Sequence, residues 1–118
     1  MRVSLRFAAT AMILALTLAA CGSTSTGGAG GKTASLQIKG FAFTPAALTV
    51  DKGTVVTVTN AHGTTHTVTS GTNGTKDGKF DRSFDGGSTG TMSFDTVGTF
   101  IYFCSIHGVS MSGTIVVK

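Results

Sequence analysis

From residue 36 onward, apolar side chains recur at every second position. Leu36 and Ile38 alternate with polar neighbours, and Phe41 and Phe43 resume that period after Gly40. Pro45 stops the run, because proline has no N–H to give a ladder. Leu48 and Val50 alternate up to the turn composition Asp51-Lys52-Gly53. Val56 and Val58 alternate with Thr57 and Thr59 as far as Asn60. His66 and Val68 lie in another short strand, Gly71 to Gly78 reads as loop, and Phe80 and Phe84 flank a polar piece. Asp85-Gly86-Gly87-Ser88 makes a turn, Met92 and Phe94 alternate, Gly98 opens a strand Thr99–Cys104, and Gly113 opens Thr114–Val117. No stretch carries the repeat of a long amphipathic helix. Short period-two runs separated by Gly, Asp and Asn turns predict an all-β domain, an antiparallel sandwich or barrel. On Thr99–Cys104 the same period puts Phe100, Tyr102 and Cys104 on the core face, with Ile101 and Phe103 facing away.

The first third of the chain has a different pattern. Arg2 and Arg6 precede an apolar run from Phe7 to Ala20, which is shorter than the ~20 residues of a spanning helix. A basic start, a short apolar run and small residues at its end predict a cleaved export signal over residues 1–20. The end of the run, Leu18-Ala19-Ala20-Cys21, resembles the lipobox of bacterial lipoproteins. That resemblance implies diacylation of Cys21, which would tie the protein to a membrane by lipid on the extracytoplasmic side of a bacterial envelope. Residues 21–34 are rich in Gly, Ser and Thr and cannot offset their own ordering entropy. They predict a flexible tether of roughly 20 Å ahead of a folded domain at 35–118.

Composition narrows the functional classes. The formal charge is +4, but Arg2 and Arg6 belong to the export signal, leaving seven basic against five acidic groups. No run of Lys or Arg interleaved with aromatics remains, so nucleic acid is not an expected partner. No Ser/His/Asp set or paired carboxylates suggest a catalytic site, and an enzyme is not expected. With Cys21 committed to lipid, Cys104 has no partner for a disulfide.

Cys104 instead opens the stretch Cys104-Ser105-Ile106-His107-Gly108-Val109-Ser110-Met111. It presents a thiol, an imidazole and a thioether in the spacing C-x2-H-x3-M. Two histidines, a cysteine and a weak methionine form the donor set of blue-copper sites. The second histidine must come from upstream, where His66 and His62 compete.

Over nearly all of 36–118 the chain resembles the cupredoxin family, in particular its small plastocyanin- and amicyanin-like members. The matching pieces are Phe41-Ala42-Phe43-Thr44-Pro45, Leu48 to Gly53, Val58-Thr59-Asn60 followed by His66-Thr67-Val68, Phe94 to Gly98, Tyr102 to His107, and Met111 to Val117. The resemblance implies a Greek-key sandwich and one type 1 copper ion. Its ligands would be His66, Cys104, His107 and Met111, with His66 favoured over His62 by its place six residues after Asn60. It also implies single-electron shuttling by a monomer between larger redox proteins, with His107 the exit in an apolar patch including Ile106, Val109 and Phe103. Thr67 would brace the Cys104 loop, and Asn60 would tie the loop 60–66. Where relatives often have proline between the cysteine and the histidine, this chain has Ile106, whose N–H is expected to donate to the Cys104 sulfur. The three residues between His107 and Met111 also depart from the family's common loop lengths. Two other readings fit the pattern: a copper-delivery module without electron transfer, and a metal-free lipid-anchored sandwich.

Overall fold

A computed structural model describes residues 31–118 of the chain. The expected signal, the Cys21 lipid site and most of the tether therefore lie outside the described residues. Among those residues the chain forms β1 (Thr33–Lys39), β2 (Ala42–Thr44), β3 (Ala47–Val50), β4 (Thr54–Asn60), β5 (His66–Thr72), β6 (Thr75–Phe84), β7 (Thr89–Phe94), β8 (Gly98–Cys104) and β9 (Gly108–Val117). They make two sheets, ordered β2-β1-β4-β7 and β3-β9-β8-β5-β6. The chain changes sheet between β2 and β3, β3 and β4, β4 and β5, β6 and β7, and β7 and β8. Such crossings distinguish a Greek-key sandwich from a simple meander.

The core is what the alternation predicts. Leu36 and Ile38 of β1, Val56 and Val58 of β4, Val68 of β5, and Ile115 and Val117 of β9 are all buried. Burying such a side chain stabilises the fold by about 1.5–3 kcal/mol. The sheets are not purely antiparallel, however. β1 runs parallel to β4 and β3 parallel to β9. Period two reports which face is buried and is blind to strand direction.

Several local expectations are corrected. β1 begins at Thr33, paired with Val55, so the ordered domain starts before residue 35. Phe41 is not in a strand; it sits in a turn after Gly40 and is 62% exposed. Gly71 to Gly78 is no loop: β5 and β6 continue into a tight hairpin, with Thr72 paired to Thr75. Asn73 and Gly74, with φ of 53° and 78°, supply the two left-handed residues that a hairpin turn of this length demands. β9 starts at Gly108 rather than Gly113, resuming pairing with β8 after an irregularity between Phe103 and Cys104. Phe103 is buried rather than outward, because Tyr102, Phe103 and Cys104 are covered on both faces at the end of β8.

One contact in the core is unusually tight. Tyr102 is fully buried, its ring lies edge-on to Phe43 with centroids 4.7 Å apart, and its hydroxyl has no hydrogen-bond partner among the described residues. A Cβ on Gly113 would lie 2.4 Å from that hydroxyl oxygen. Gly113 is thus the space the phenol needs. Tyr102→Phe should leave stability unchanged or raise it by about 1 kcal/mol, because an orphaned hydroxyl contributes only its desolvation cost. Gly113→Ala should lower stability by about 1–3 kcal/mol through overpacking. Urea unfolding of the copper-free variants checks both.

Candidate metal centre

Two segments far apart in sequence meet at one end of the sandwich. The first is the loop from the end of β4 to the start of β5. Asn60 is fully buried and holds this loop. Its Nδ2 lies 2.8 Å from the carbonyl oxygen of Thr64, 2.9 Å from that of Phe84 and 3.1 Å from that of Asp85. Its Oδ1 accepts the N–H of His62 at 3.0 Å. An amide whose two N–H bonds are shared among three carbonyls, and whose oxygen accepts one N–H, fixes the loop from both sides, and His66 then opens β5 with no exposed surface.

The second segment is the turn between β8 and β9. Cys104 ends β8 fully buried, and His107 follows half-buried. Nδ1 of His107 lies 3.3 Å from Sγ of Cys104, and Nδ1 of His66 lies 3.7 Å from it. The donor atoms of His66, Cys104 and His107 all fall within 4.8 Å of one another. Met111 is buried on β9, three residues past the start of that strand.

The sulfur is held by β5. The N–H of Thr67 donates to Sγ at 3.4 Å, and the hydroxyl of Thr67 accepts the N–H of Ser105 at 2.8 Å. Thr67 thus braces the Cys104 loop by both routes open to it. The N–H that reaches the sulfur belongs to Thr67 and not to Ile106, contrary to expectation. Ile106 sits at the tip of the turn with its side chain 55% exposed.

His62 is outside the three-donor cluster. Its Nδ1 lies 2.8 Å from Nε2 of His66, and the Thr64 hydroxyl lies 3.1 Å from that same Nδ1. Burial, then the neighbouring imidazoles of His107 and His62, hold His66 below the usual histidine range. A neutral His66 whose Nε2–H goes to His62 presents the lone pair of Nδ1 to the cysteine. Phe41, assigned to a strand from its spacing, instead stands edge-on to three imidazoles, with centroids 5.1 Å from His62, 5.9 Å from His66 and 5.0 Å from His107. The signal for this was the glycine before it, which breaks the period.

An all-β sandwich that gathers one thiol and two imidazoles at its end defines a class, the single-copper sandwich proteins. Residues 31–118 match the family of copper-binding proteins of the plastocyanin/azurin type, and the chain belongs to that family. No curated protein matches the chain. Among solved structures, a purple cupredoxin from Nitrosopumilus maritimus is 25% identical with a TM-score of 0.64, over 72% of this chain and 99% of that one. A copper-containing nitrite reductase from Thermus scotoductus aligns with a TM-score of 0.63 at 24% identity, over 73% of this chain but 22% of the enzyme. An oxidised mutant of amicyanin aligns at 23% identity with a TM-score of 0.59, over 71% of this chain and 80% of that one. The donor chemistry and the family agree on the cofactor, one type 1 copper ion.

The role of Asn60 is open to a sharp test. Asn60→Ala removes the donor to three carbonyls and should cost about 1–3 kcal/mol. Asn60→Asp turns a carboxylate toward those same carbonyl oxygens and should cost more than alanine, despite its closer shape. Equilibrium unfolding of the copper-free variants ranks them.

Proposed function

We propose that this chain is a type 1 copper carrier of single electrons, exported and held at the outer side of a bacterial membrane by lipid on Cys21. The observation that carries this reading is the convergence of His66, Cys104 and His107 within 4.8 Å in a site built by two braced segments. Bound copper supplies a reversible one-electron couple. Cys104 would hold it as thiolate, His66 and His107 through Nδ1, and Met111 more weakly through its thioether. The chain's own task is to keep these donors from rearranging when the charge changes, and Thr67 and Asn60 serve that end.

His107 is the only one of the three that reaches solvent. Around it stand Phe41, Ile106 and Val109, exposed by 62%, 55% and 52%. Phe103, expected in this patch, is buried and takes no part. An apolar rim around a half-exposed ligand offers a weak, quickly released face to a larger redox protein. We read the chain as a monomeric carrier rather than an enzyme. Its likeness to a nitrite reductase is confined to a fraction of that enzyme and speaks for the fold.

Cu(II) added to the full-length protein should give intense visible absorption from the thiolate, a narrow copper hyperfine pattern in EPR and a reversible one-electron wave. A colourless protein that holds Cu(I) without cycling would instead be a delivery module. A Cys104 that stays alkylatable after copper addition would leave a metal-free sandwich. His66→Ala should abolish the colour. His62→Ala should keep it, with copper bound about 10–100-fold more weakly, as for loss of a group that orients a ligand.

A further inference from the structure

Behind the Cys104 loop, a line of polar groups runs from the site to the outer edge of the five-stranded sheet. The hydroxyl of Thr67 lies 2.8 Å from that of Thr69, and Thr69 donates to Oδ1 of Asp81 at 2.8 Å. Oδ2 of Asp81 takes the ammonium of Lys76 at 2.6 Å. Thr67 and Thr69 are buried, whereas the side chains of Lys76 and Asp81 are 54% and 46% exposed. None of Thr69, Asp81 and Lys76 belongs to the donor cluster.

The protons in this line can be placed by elimination. An ionised carboxylate only accepts, so the Thr69 proton points to Asp81. Thr69 must then accept, so the Thr67 proton points to Thr69. Both lone pairs of Thr67 are left for Ser105, whose N–H lies at 2.8 Å and whose hydroxyl lies at 3.1 Å. The Thr67 and Thr69 hydroxyls then each donate once, both toward Asp81. Hydrogen bonds from Lys76 and then Thr69 hold the Asp81 carboxyl below the usual carboxylate range, so the end that sets the direction stays charged.

We infer that Asp81, on the surface of β6, is a positioning residue for the copper thiolate, acting through a one-way relay of Thr69 and Thr67 that ends on the peptide after Cys104. The relay deepens the proposed electron-carrier reading and rests on it for its effect on copper. It works in two ways. It aims the lone pairs of Thr67 at Ser105, which sets the loop and the angle of the sulfur. It also places negative charge at the far end of a polarised chain, which raises electron density at the site and favours the oxidised form.

Four variants of the full-length protein test this: Thr69→Val, Asp81→Ala, Thr69→Ser and Asp81→Asn. In copper-free protein, Thr69→Val and Asp81→Ala should speed hydrogen exchange at the Ser105 amide by about tenfold, as one hydrogen bond is weakened. Thr69→Ser and Asp81→Asn keep an acceptor in each place and should restore slow exchange. With copper, Thr69→Val and Asp81→Ala should move the thiolate absorption band and raise the reduction potential. Asp81→Asn, which loses the charge but keeps an oxygen to accept from Thr69, should raise the potential by less. Asp81 is exposed, so Asp81→Ala remains informative even where Thr69→Val fails to fold. Unchanged Ser105 exchange in Asp81→Ala sinks the relay whether or not colour develops. A wild-type protein that stays colourless with Cu(II) sinks the carrier reading before any variant is made.

Discussion

The bond from the Thr67 N–H to the sulfur of Cys104 is the joint on which the site depends. β5 and β8 share two ladder pairs, Thr69 with Phe103 and Ser70 with Tyr102. Past that point toward the site, strand pairing gives way to side-chain chemistry. A sulfur accepts the next N–H, and a threonine hydroxyl accepts the one from Ser105. The split in the ladder leaves room for imidazoles between the two segments without leaving Thr67 or Ser105 N–H groups unpaired. A buried N–H with no partner would cost about 1–3 kcal/mol, so the same arrangement that opens the site also keeps it stable.

This joint explains which parts of the protein could be read from residues alone. The alternation of Leu36 and Ile38, or of Val56 and Val58, states plainly which face is buried, and the structure agrees. His66, Cys104 and His107 were legible because metal chemistry requires that combination of donors, and they do converge. Strand direction was not legible, since parallel and antiparallel neighbours impose the same period. Phe103 was misplaced because periodicity assumes one open face, and the end of β8 has none. The Asn73-Gly74 turn was missed, although Asn-Gly between strands is a strong hairpin signal. It was obscured by the glycines and threonines on either side. The relay through Thr69 to Asp81 could not be read, because it depends on register between β5 and β6 rather than on spacing along the chain.

The charges of the site push in a consistent direction. Three imidazoles lie together, with ring centroids 5.1 Å apart for His62 and His66 and 4.5 Å for His66 and His107. Burial first, then the imidazoles of His107 and His62, make His66 harder to protonate. His66 therefore favours its neutral form, which is the state a metal requires. Phe41 edges onto all three, contributing apolar surface where water would otherwise stabilise a charged ring.

The distribution of donors along the chain adds a last constraint. Cys104, His107 and Met111 lie at the end of β8, in the turn that follows it and near the start of β9, and a local segment of that kind can shift as a unit. His66 comes from the other segment, fixed through Asn60 to the backbone of the loop before β5 and to Phe84 and Asp85 where β6 ends. A metal bound by both would link pieces that the ladder joins only farther in. Its strain on a change of oxidation level would then fall on the contact between β5 and the β8–β9 turn. Thr67 occupies that contact with its N–H and its hydroxyl at once, so relative sliding of the segments must break two hydrogen bonds together. The stiffness of the site thus resides less in the β8–β9 segment than in the one residue that follows His66.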